Sequence, residues 1–407
     1  MAATDEKRVK DTVVLLGAGA PNSPLMAGAL AAMYEKKFPL DMIYTSGGGC
    51  LIGLLLVAPK GPSPVKALRG LVEQMGVHDV IYSMVPIGYK TFFKPGPFTR
   101  LFHRWAQNFK IREFPLDPIA GLNIPRDFLD VYNLVASQFV NTGKGTYRRL
   151  YNDWINLCVA MMTPSTLNPL SQGMCAPFPF LDDMVDFDKL KEFPGRFYMN
   201  AYNITKGRME QFYKDEITPA HFRAALAYPG IYPPAEINGQ LYYEGADHDP
   251  VNFGHLIEEC QHWKRLRRFV DEEDWKREKF EIKNIVLIDI LDSLRNYLIR
   301  EPRSLWDAYG ISIMTPVVAL AEKNIEHFLK YDNIVYEKGK PKKRFNFLRM
   351  KFTIPEDVRP YIMEWSYSNL NNLWSIGYVT GMNFCDRHFR SEKEKTNEQN
   401  TYDASVT

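Results

Sequence analysis

Two short aliphatic runs near the start of the chain, Thr12–Leu16 and Asp41–Thr45, constrain the fold more than any other feature. Both are rich in β-branched and apolar residues without polar alternation, as a strand buried on both faces of a parallel sheet should be. Each runs straight into a glycine-rich turn, Gly17-Ala18-Gly19-Ala20 after the first and Ser46-Gly47-Gly48-Gly49 after the second. Apolar segments then follow, Leu25–Lys37 and Cys50–Val57, that suit packed helices. Strand, helix, strand, helix in this order predicts an α/β domain.

The rest of the chain extends that pattern. Arg196–Asn203 reads as a strand, with a turn at Lys206-Gly207 and a hairpin partner at Met209–Tyr213. His221–Tyr228 reads as a short helix ended by Pro229-Gly230, Leu241–Glu244 as a strand, and Lys283–Asp289 as a parallel-type strand. Leu291–Tyr331 and Pro360–Phe389 carry helical apolar spacing. Residues 76–125, with Phe92-Phe93-Lys94-Pro95-Gly96-Pro97-Phe98 at their centre, suggest a helical and loop insertion, either covering a site or forming a satellite core. We therefore expect a flexible stretch at 1–11, one continuous domain over 12–389 with C-terminal helices from about 291, and a disordered tail at 390–407.

Composition narrows the function. At 407 residues with 45% hydrophobic content, the chain can bury a large core. Fifty Lys and Arg against 48 Asp and Glu leave a net charge of +2, which argues against a dedicated nucleic-acid binder. The five cysteines, Cys50, Cys158, Cys175, Cys260 and Cys385, form no CxxC pair, so neither a zinc knuckle nor a redox motif is supported. No apolar leader precedes the first strand, and the longest apolar run, Leu51–Ala58, is too short to span a bilayer. The expected location is cytoplasmic, with peripheral membrane contact left open. No cofactor or metal signature is present.

The second turn carries the chemistry. A serine on a sharp strand-to-helix turn exposes its hydroxyl as a nucleophile, and the following helix N-terminus offers free N–H groups to a developing oxyanion. Ser46 sits in that context, with Gly48 at the second glycine of G-x-S-x-G and Tyr44 at the first. The plainer alternative is a glycine turn that merely packs a helix on a sheet. The first turn, Gly17–Ala20, also suits an anion, but it lacks the Lys-Ser/Thr of a phosphate loop and the last glycine of G-x-G-x-x-G.

Downstream, Pro229-Gly230-Ile231-Tyr232-Pro233-Pro234 leads to Tyr243-Glu244-Gly245-Ala246 and then Asn252. With Gly17-Ala18-Gly19 and Thr45-Ser46-Gly47-Gly48 upstream, and Trp365–Leu370 and Gly377-Tyr378 near the end, the chain resembles the patatin-like phospholipases over roughly residues 12–385. The resemblance implies a three-layer α/β/α sandwich with a mostly parallel sheet and a Ser–Asp dyad that needs no histidine. By position, Ser46 would be the nucleophile and Glu244 the acid. The backbone N–H groups of Gly17, Ala18, Gly19 and Gly47 would hold the oxyanion. The implied activity is hydrolysis of a lipid or other acyl ester through an acyl-enzyme.

Three departures from the family pattern bear on that activity. Glu244 stands where the family has Asp, and a misplacement of about 1 Å can cost on the order of a hundredfold in rate. Tyr44 stands where a small residue is usual, and Pro21-Asn22 replace an Arg-Gly pair. Two other outcomes therefore stand beside hydrolysis: a catalytically silent lipid- or acyl-binding protein or partner scaffold, and acyl transfer from the same serine to another acceptor. His248 is an auxiliary base candidate or a solvated turn histidine, and Cys50 a packing residue. The basic, aromatic run Lys338–Lys351 reads as a hairpin, either lipid-facing or simply solvated, and Trp263–Arg268 as a solvated helix face. Acyl length, headgroup and oligomeric state are not encoded in any readable motif.

Overall fold

In a computed structural model of the chain, the residues described are 10–19, 22–92, 149–154, 157, 170–173, 184–266, 280–295 and 297–388. Both aliphatic runs form strands. β1 (Lys10–Leu16) and β2 (Met42–Thr45) pair in parallel, with Leu16 opposite Thr45. Between them lies α1 (Ser23–Glu35), buried from Ser23 through Met33. After β2 comes α2 (Gly48–Val57), buried over Gly49–Leu56. Helices enclosed on all sides need no polar face, which is why both are apolar throughout rather than striped. The next helix, α3 (Pro64–Met75), is of the striped kind. It buries Leu68, Leu71, Val72 and Met75, and the Ser63 side chain caps its start by accepting from the Lys66 N–H.

The remaining strands are β3 (Arg196–Asn203), β4 (Arg208–Tyr213), β5 (Ala235–Ile237), β6 (Gln240–Glu244), β7 (Phe280–Asp289), β8 (Ile334–Glu337), β9 (Lys340–Lys343) and β10 (Asn346–Lys351). Among the described residues, eight of the ten strands form one sheet in the order β10-β7-β1-β2-β3-β6-β5, with β4 paired to β3. β10, β7, β1, β2 and β3 run parallel, while β4, β5 and β6 are antiparallel. The helices α4 (Phe253–Leu266), α5 (Leu305–His327) and α6 (Tyr367–His388) join α1–α3 in flanking the sheet, which makes a three-layer α/β/α sandwich. Among the described residues no helix is long and apolar enough to cross a membrane.

Several boundaries differ from the sequence expectation. The stretch from Leu291 is not helical throughout: a short turn at Asp292–Leu294 and irregular chain precede α5, whose start is set by Ser304 accepting from the Asp307 N–H. The expected helix from Pro360 begins only at Tyr367. The basic hairpin is shifted. It consists of β8 and β9, with Lys338 (φ 51°) and Gly339 (φ 75°) in the two-residue turn, a left-handed pair typical of tight hairpins. The second half of the basic run, β10, instead joins the main sheet beside β7. Within residues 76–125, helical turns occupy Asp79–Met84 and Tyr89–Phe92; the aromatic motif from Phe93 on lies outside the described residues, as do residues 1–9, the segment after Leu266 and the tail.

α6 closes the outer side of α1 at backbone distance. A Cβ on Gly377 would overlap the Leu25 carbonyl oxygen, and one on Gly28 would overlap that of Trp374. A Cβ on Gly381 would lie 2.6 Å from the Ala29 carbonyl oxygen. Carbonyl oxygens of a helix cannot step aside as a flexible side chain can. Gly377→Ala should therefore destabilise the protein by about 1–3 kcal/mol in urea unfolding, despite the better helix propensity of alanine.

Candidate active site

β1 and β2 end side by side, and their following loops leave from the carboxyl edge of the sheet, where α/β folds place ligands. The Ser46 N–H donates to the Leu16 carbonyl at 3.0 Å, extending the ladder by one step. The chain then reverses at Gly47, whose φ of 51° and ψ of −127° suit glycine, and α2 starts at Gly48. At Gly49 a Cβ would overlap the Leu16 carbonyl oxygen and lie 2.7 Å from that of Gly17. The close helix–strand contact that the second glycine of G-x-S-x-G permits thus falls at Gly49, two residues after Gly47. Gly47, not Ser46, occupies the strained apex where a nucleophile would stand.

Ser46 lies one step earlier and faces inward. It is 0% exposed, and its hydroxyl donates to the Asp249 carbonyl at 2.9 Å. It is not on the wall of the adjacent cavity. Tyr44 is accommodated on the same shift of register. Its ring packs on Tyr198 and His255, and its hydroxyl donates to Glu259, which also pairs with Arg196 at 2.6 Å. Burial pushes His255 down to about 4, so it stays neutral in this cluster. Cys50 is fully buried, and burial pushes its thiol up, as suits a packing residue.

Glu244 ends β6, opposite Ala201 of β3, and its carboxyl reaches over the apex. A Cβ on Gly47 would overlap Glu244 Oε1 and lie 3.1 Å from Cδ and 3.2 Å from the Ala18 Cβ. Glu244, Gly47 and the first glycine loop therefore meet, whereas the Ser46 hydroxyl points elsewhere. Among the described residues the Glu244 carboxyl has no hydrogen-bond partner. Burial, reinforced by the charge of Asp247, pushes it up to about 8, so it is mainly protonated at neutral pH. Asp247 in turn accepts from the Tyr228 hydroxyl.

The four expected oxyanion donors separate. The Ala18 N–H is spent on the Pro250 carbonyl at 2.8 Å, Gly17 packs against that same carbonyl off the cavity wall, and Gly47 is the apex itself. Gly19 does line the cavity, and so does Gly48, which the sequence reading did not single out as a donor. Neither N–H donates to any acceptor among the described residues. The signal for Gly48 was its place directly after the apex, at the first turn of α2, where N–H groups have no helical partner. His248 is exposed and stacks on Tyr202 with ring centroids 3.8 Å apart, in a separate polar cleft of about 440 Å³ that also touches Asp249 and His255.

The loop after Glu244 holds this geometry. The Asp249 carboxylate accepts from the Phe253 and Gly254 N–H groups at 3.1 and 2.7 Å and so caps α4. Its carbonyl takes both Ser46 and the Asn200 side chain. Asn252, in a left-handed conformation with φ of 63°, donates to the Thr45 carbonyl at 3.0 Å. Asn252 was visible in the sequence; Asp249 and Asn200 were not.

The cavity encloses about 400 Å³ between these loops and α5. Its wall is largely apolar, with Leu51, Met75, Leu226, Ile231, Ile313 and Met314 among its residues. Among the described residues, the charged groups on the wall are Glu244, Arg303, Asp307 and Glu364. Arg303 pairs with Glu364 at 3.2 Å, and Arg300 with Asp307 at 2.6 Å, so the rim is already balanced. Among the described residues no cluster of three His, Cys, Asp or Glu is placed to hold a metal ion.

The family model described as Patatin-like phospholipase matches residues 14–257, which contain both glycine turns and Glu244. Among solved structures, the crystal structure of VipD from Legionella pneumophila aligns with a TM-score of 0.32 and 13% identity, covering 94% of this chain and 67% of that one. No curated protein sequence matches the chain.

A glutamate with a raised pKa keeps its proton in the folded state at pH values where the unfolded chain has released it. Stability therefore falls as pH rises from the ordinary 4.5 through about 8. Glu244→Gln removes that loss. The variant's stability advantage over wild type should widen across this window by on the order of a few kcal/mol at most, as read by urea unfolding at a series of pH values.

Proposed function

The chain belongs to the patatin-like phospholipase family, and on that premise we propose that it keeps an acyl-binding cavity of the family while lacking the serine that would cleave the acyl group. Members of the family are generally lipid acyl hydrolases, which supports a lipid as the occupant of the cavity. The observation that carries the proposal is the bare apex. Gly47 has no side chain to attack a carbonyl, and the Glu244 carboxyl fills the space a serine side chain would need. The extra methylene of glutamate over aspartate and the missing side chain at the apex fit one another as a matched pair of changes. What the site retains is equally suggestive: a largely apolar cavity with Gly19 and Gly48 on its wall, whose N–H groups have no acceptor among the described residues.

Hydrolysis or acyl transfer through Ser46 is the competing reading, favoured by the general activity of the family. It requires the Ser46 hydroxyl to leave the Asp249 carbonyl and pass from beneath the turn to the cavity side of Gly47. The two readings separate cleanly by chemistry. The wild-type protein should resist labelling by a fluorophosphonate and should not turn over p-nitrophenyl esters. Labelling that Ser46→Ala abolishes would overturn the proposal. Gly47→Ser alone should stay inactive, because the new side chain meets the Glu244 carboxyl. Gly47→Ser combined with Glu244→Asp should gain measurable esterase activity and fluorophosphonate labelling, at a stability cost of about 1–3 kcal/mol for a non-glycine residue in this conformation.

A further inference from the structure

The reading of the cavity makes no use of the β8–β9 hairpin, which stands apart from the main sheet as a sheet of two strands. Residues 330–344 carry six cations, Lys330, Lys338, Lys340, Lys342, Lys343 and Arg344, against two carboxylates, Asp332 and Glu337. That is a net +4, whereas the whole chain carries +2. All four residues of β9 are exposed, as are Lys338 and Gly339 in the turn. Two tyrosines are bare with them, Tyr336 at 75% and Tyr331 at 67% exposure. The base of the hairpin, by contrast, is clamped. The Arg344 N–H donates to the Asn333 carbonyl at 2.8 Å. The buried Asn333 side chain accepts from the Phe345 N–H at 2.7 Å and donates to the Phe345 carbonyl at 3.2 Å. Phe345 and Phe253 both stack on Phe328. Residues opposite one another in an antiparallel ladder share a face. The register therefore puts Ile334, Tyr336, Pro341 and Lys343 on one face, which holds no acid, and Val335, Glu337, Lys340 and Lys342 on the other. The pair of Lys342 with Glu337 at 3.0 Å fits that division.

Lysines on an unpaired strand edge can serve only to discourage aggregation. That role calls for charge and no exposed ring, and two bare tyrosines work against it. A bilayer surface uses both features. Lysine stems lie along apolar surface while their ammonium groups reach outward, and tyrosine settles at the boundary between hydrocarbon and water. The single arginine is turned toward the protein: its guanidinium lies over the Phe345 ring at 4.6 Å and donates to the Cys260 carbonyl at 3.3 Å. The tip thus offers the compact point charges of lysine, which suit diffuse negative charge, rather than the planar fork that reads phosphates one by one. We propose that the β8–β9 hairpin docks the protein on the surface of an anionic phospholipid bilayer, with Tyr336 and Pro341 at headgroup level and the lysines of the turn and β9 against the lipid charges. The inference does not depend on what the cavity holds or on whether Ser46 reacts. Each lysine near such a surface strengthens adhesion by roughly fivefold. The attraction reaches only about a Debye length, so it is sensitive to salt.

Cosedimentation of the full chain with phosphatidylcholine vesicles, and with vesicles in which part of that lipid is replaced by phosphatidylserine, tests this. Wild type should bind the mixed vesicles at least about tenfold more tightly, and several-fold higher salt should remove most of the difference. The combined variant Lys338→Gln, Lys340→Gln, Lys343→Gln should lose at least about tenfold in binding to the mixed vesicles. Tyr336→Ser should weaken binding several-fold at unchanged charge. A control that removes the same charge from exposed positions elsewhere, Lys37→Gln, Lys60→Gln, Lys66→Gln, should stay within about twofold of wild type. Equal binding to both kinds of vesicle, full binding by the hairpin variant or by Tyr336→Ser, or a control loss as large as the hairpin's overturns the proposal. So does the absence of vesicle binding; hairpin-dependent binding of single-stranded RNA or of polyglutamate in its place would assign the surface to another partner. None of these outcomes bears on the cavity, which fluorophosphonate labelling tests separately.

Discussion

A helix that begins in contact with the last carbonyls of the neighbouring strand has no room for a side chain at its second residue. That contact, Gly49 against Leu16 and Gly17, sets the frame of the whole turn. Once Gly49 is fixed, Gly47 must be the apex and Ser46 must face the protein interior. The Asp249 and Pro250 carbonyls then meet Ser46 and Ala18. Because Asp249 also caps α4, the turn, the loop after β6 and a helix on the sheet's flank are tied together by a few hydrogen bonds. The position of the Glu244 carboxyl follows from the same arrangement, since β6 pairs antiparallel with β3 and delivers its final residue to the carboxyl edge of the parallel strands.

Most of the architecture could be read from the residues because buried strands and all-apolar helices have little alternative. β1, β2, the β3–β4 hairpin and β7 fall where their aliphatic and aromatic patterns predicted, and the family resemblance and three-layer sandwich hold. The site was legible only to within one residue. Three consecutive glycines allow two frames for the same motif, one centred on Ser46 with Gly48 as the small neighbour, the other centred on Gly47 with Gly49. Pattern matching prefers the frame that contains a serine. The backbone chooses by contact distance, which no composition or spacing expresses. The same limit explains the basic hairpin: Lys338-Gly339 and Pro341 both look like turn residues, and only the left-handed pair at 338–339 fixes which strands they join. Where irregular chain replaced an expected helix, before Leu305, apolar spacing alone could not reveal a start set by the Ser304 cap.

The charge pattern of the cavity reinforces its geometry. Acids and bases at the rim cancel as ion pairs, so they confer little preference for a charged ligand. The Glu244 carboxyl is different, because among the described residues it pairs with no cation, and its neighbours on the cavity wall are mostly apolar or acidic. A lone carboxyl in such a place is commonly a proton carrier or a hydrogen-bond donor rather than a fixed negative charge.

The packing of α6 on α1 has a consequence for how the polypeptide is made. The inner neighbour of β1 on one side, β7, and the helix that covers α1 both come from the final third of the chain. These two partners of the first strand and first helix are therefore synthesised well after the segments they cover. During that interval β1 has β2 and α1 has α2 and α3, but one side of each stays uncovered. Long-range closure of this kind slows folding and exposes sticky surface to other nascent chains.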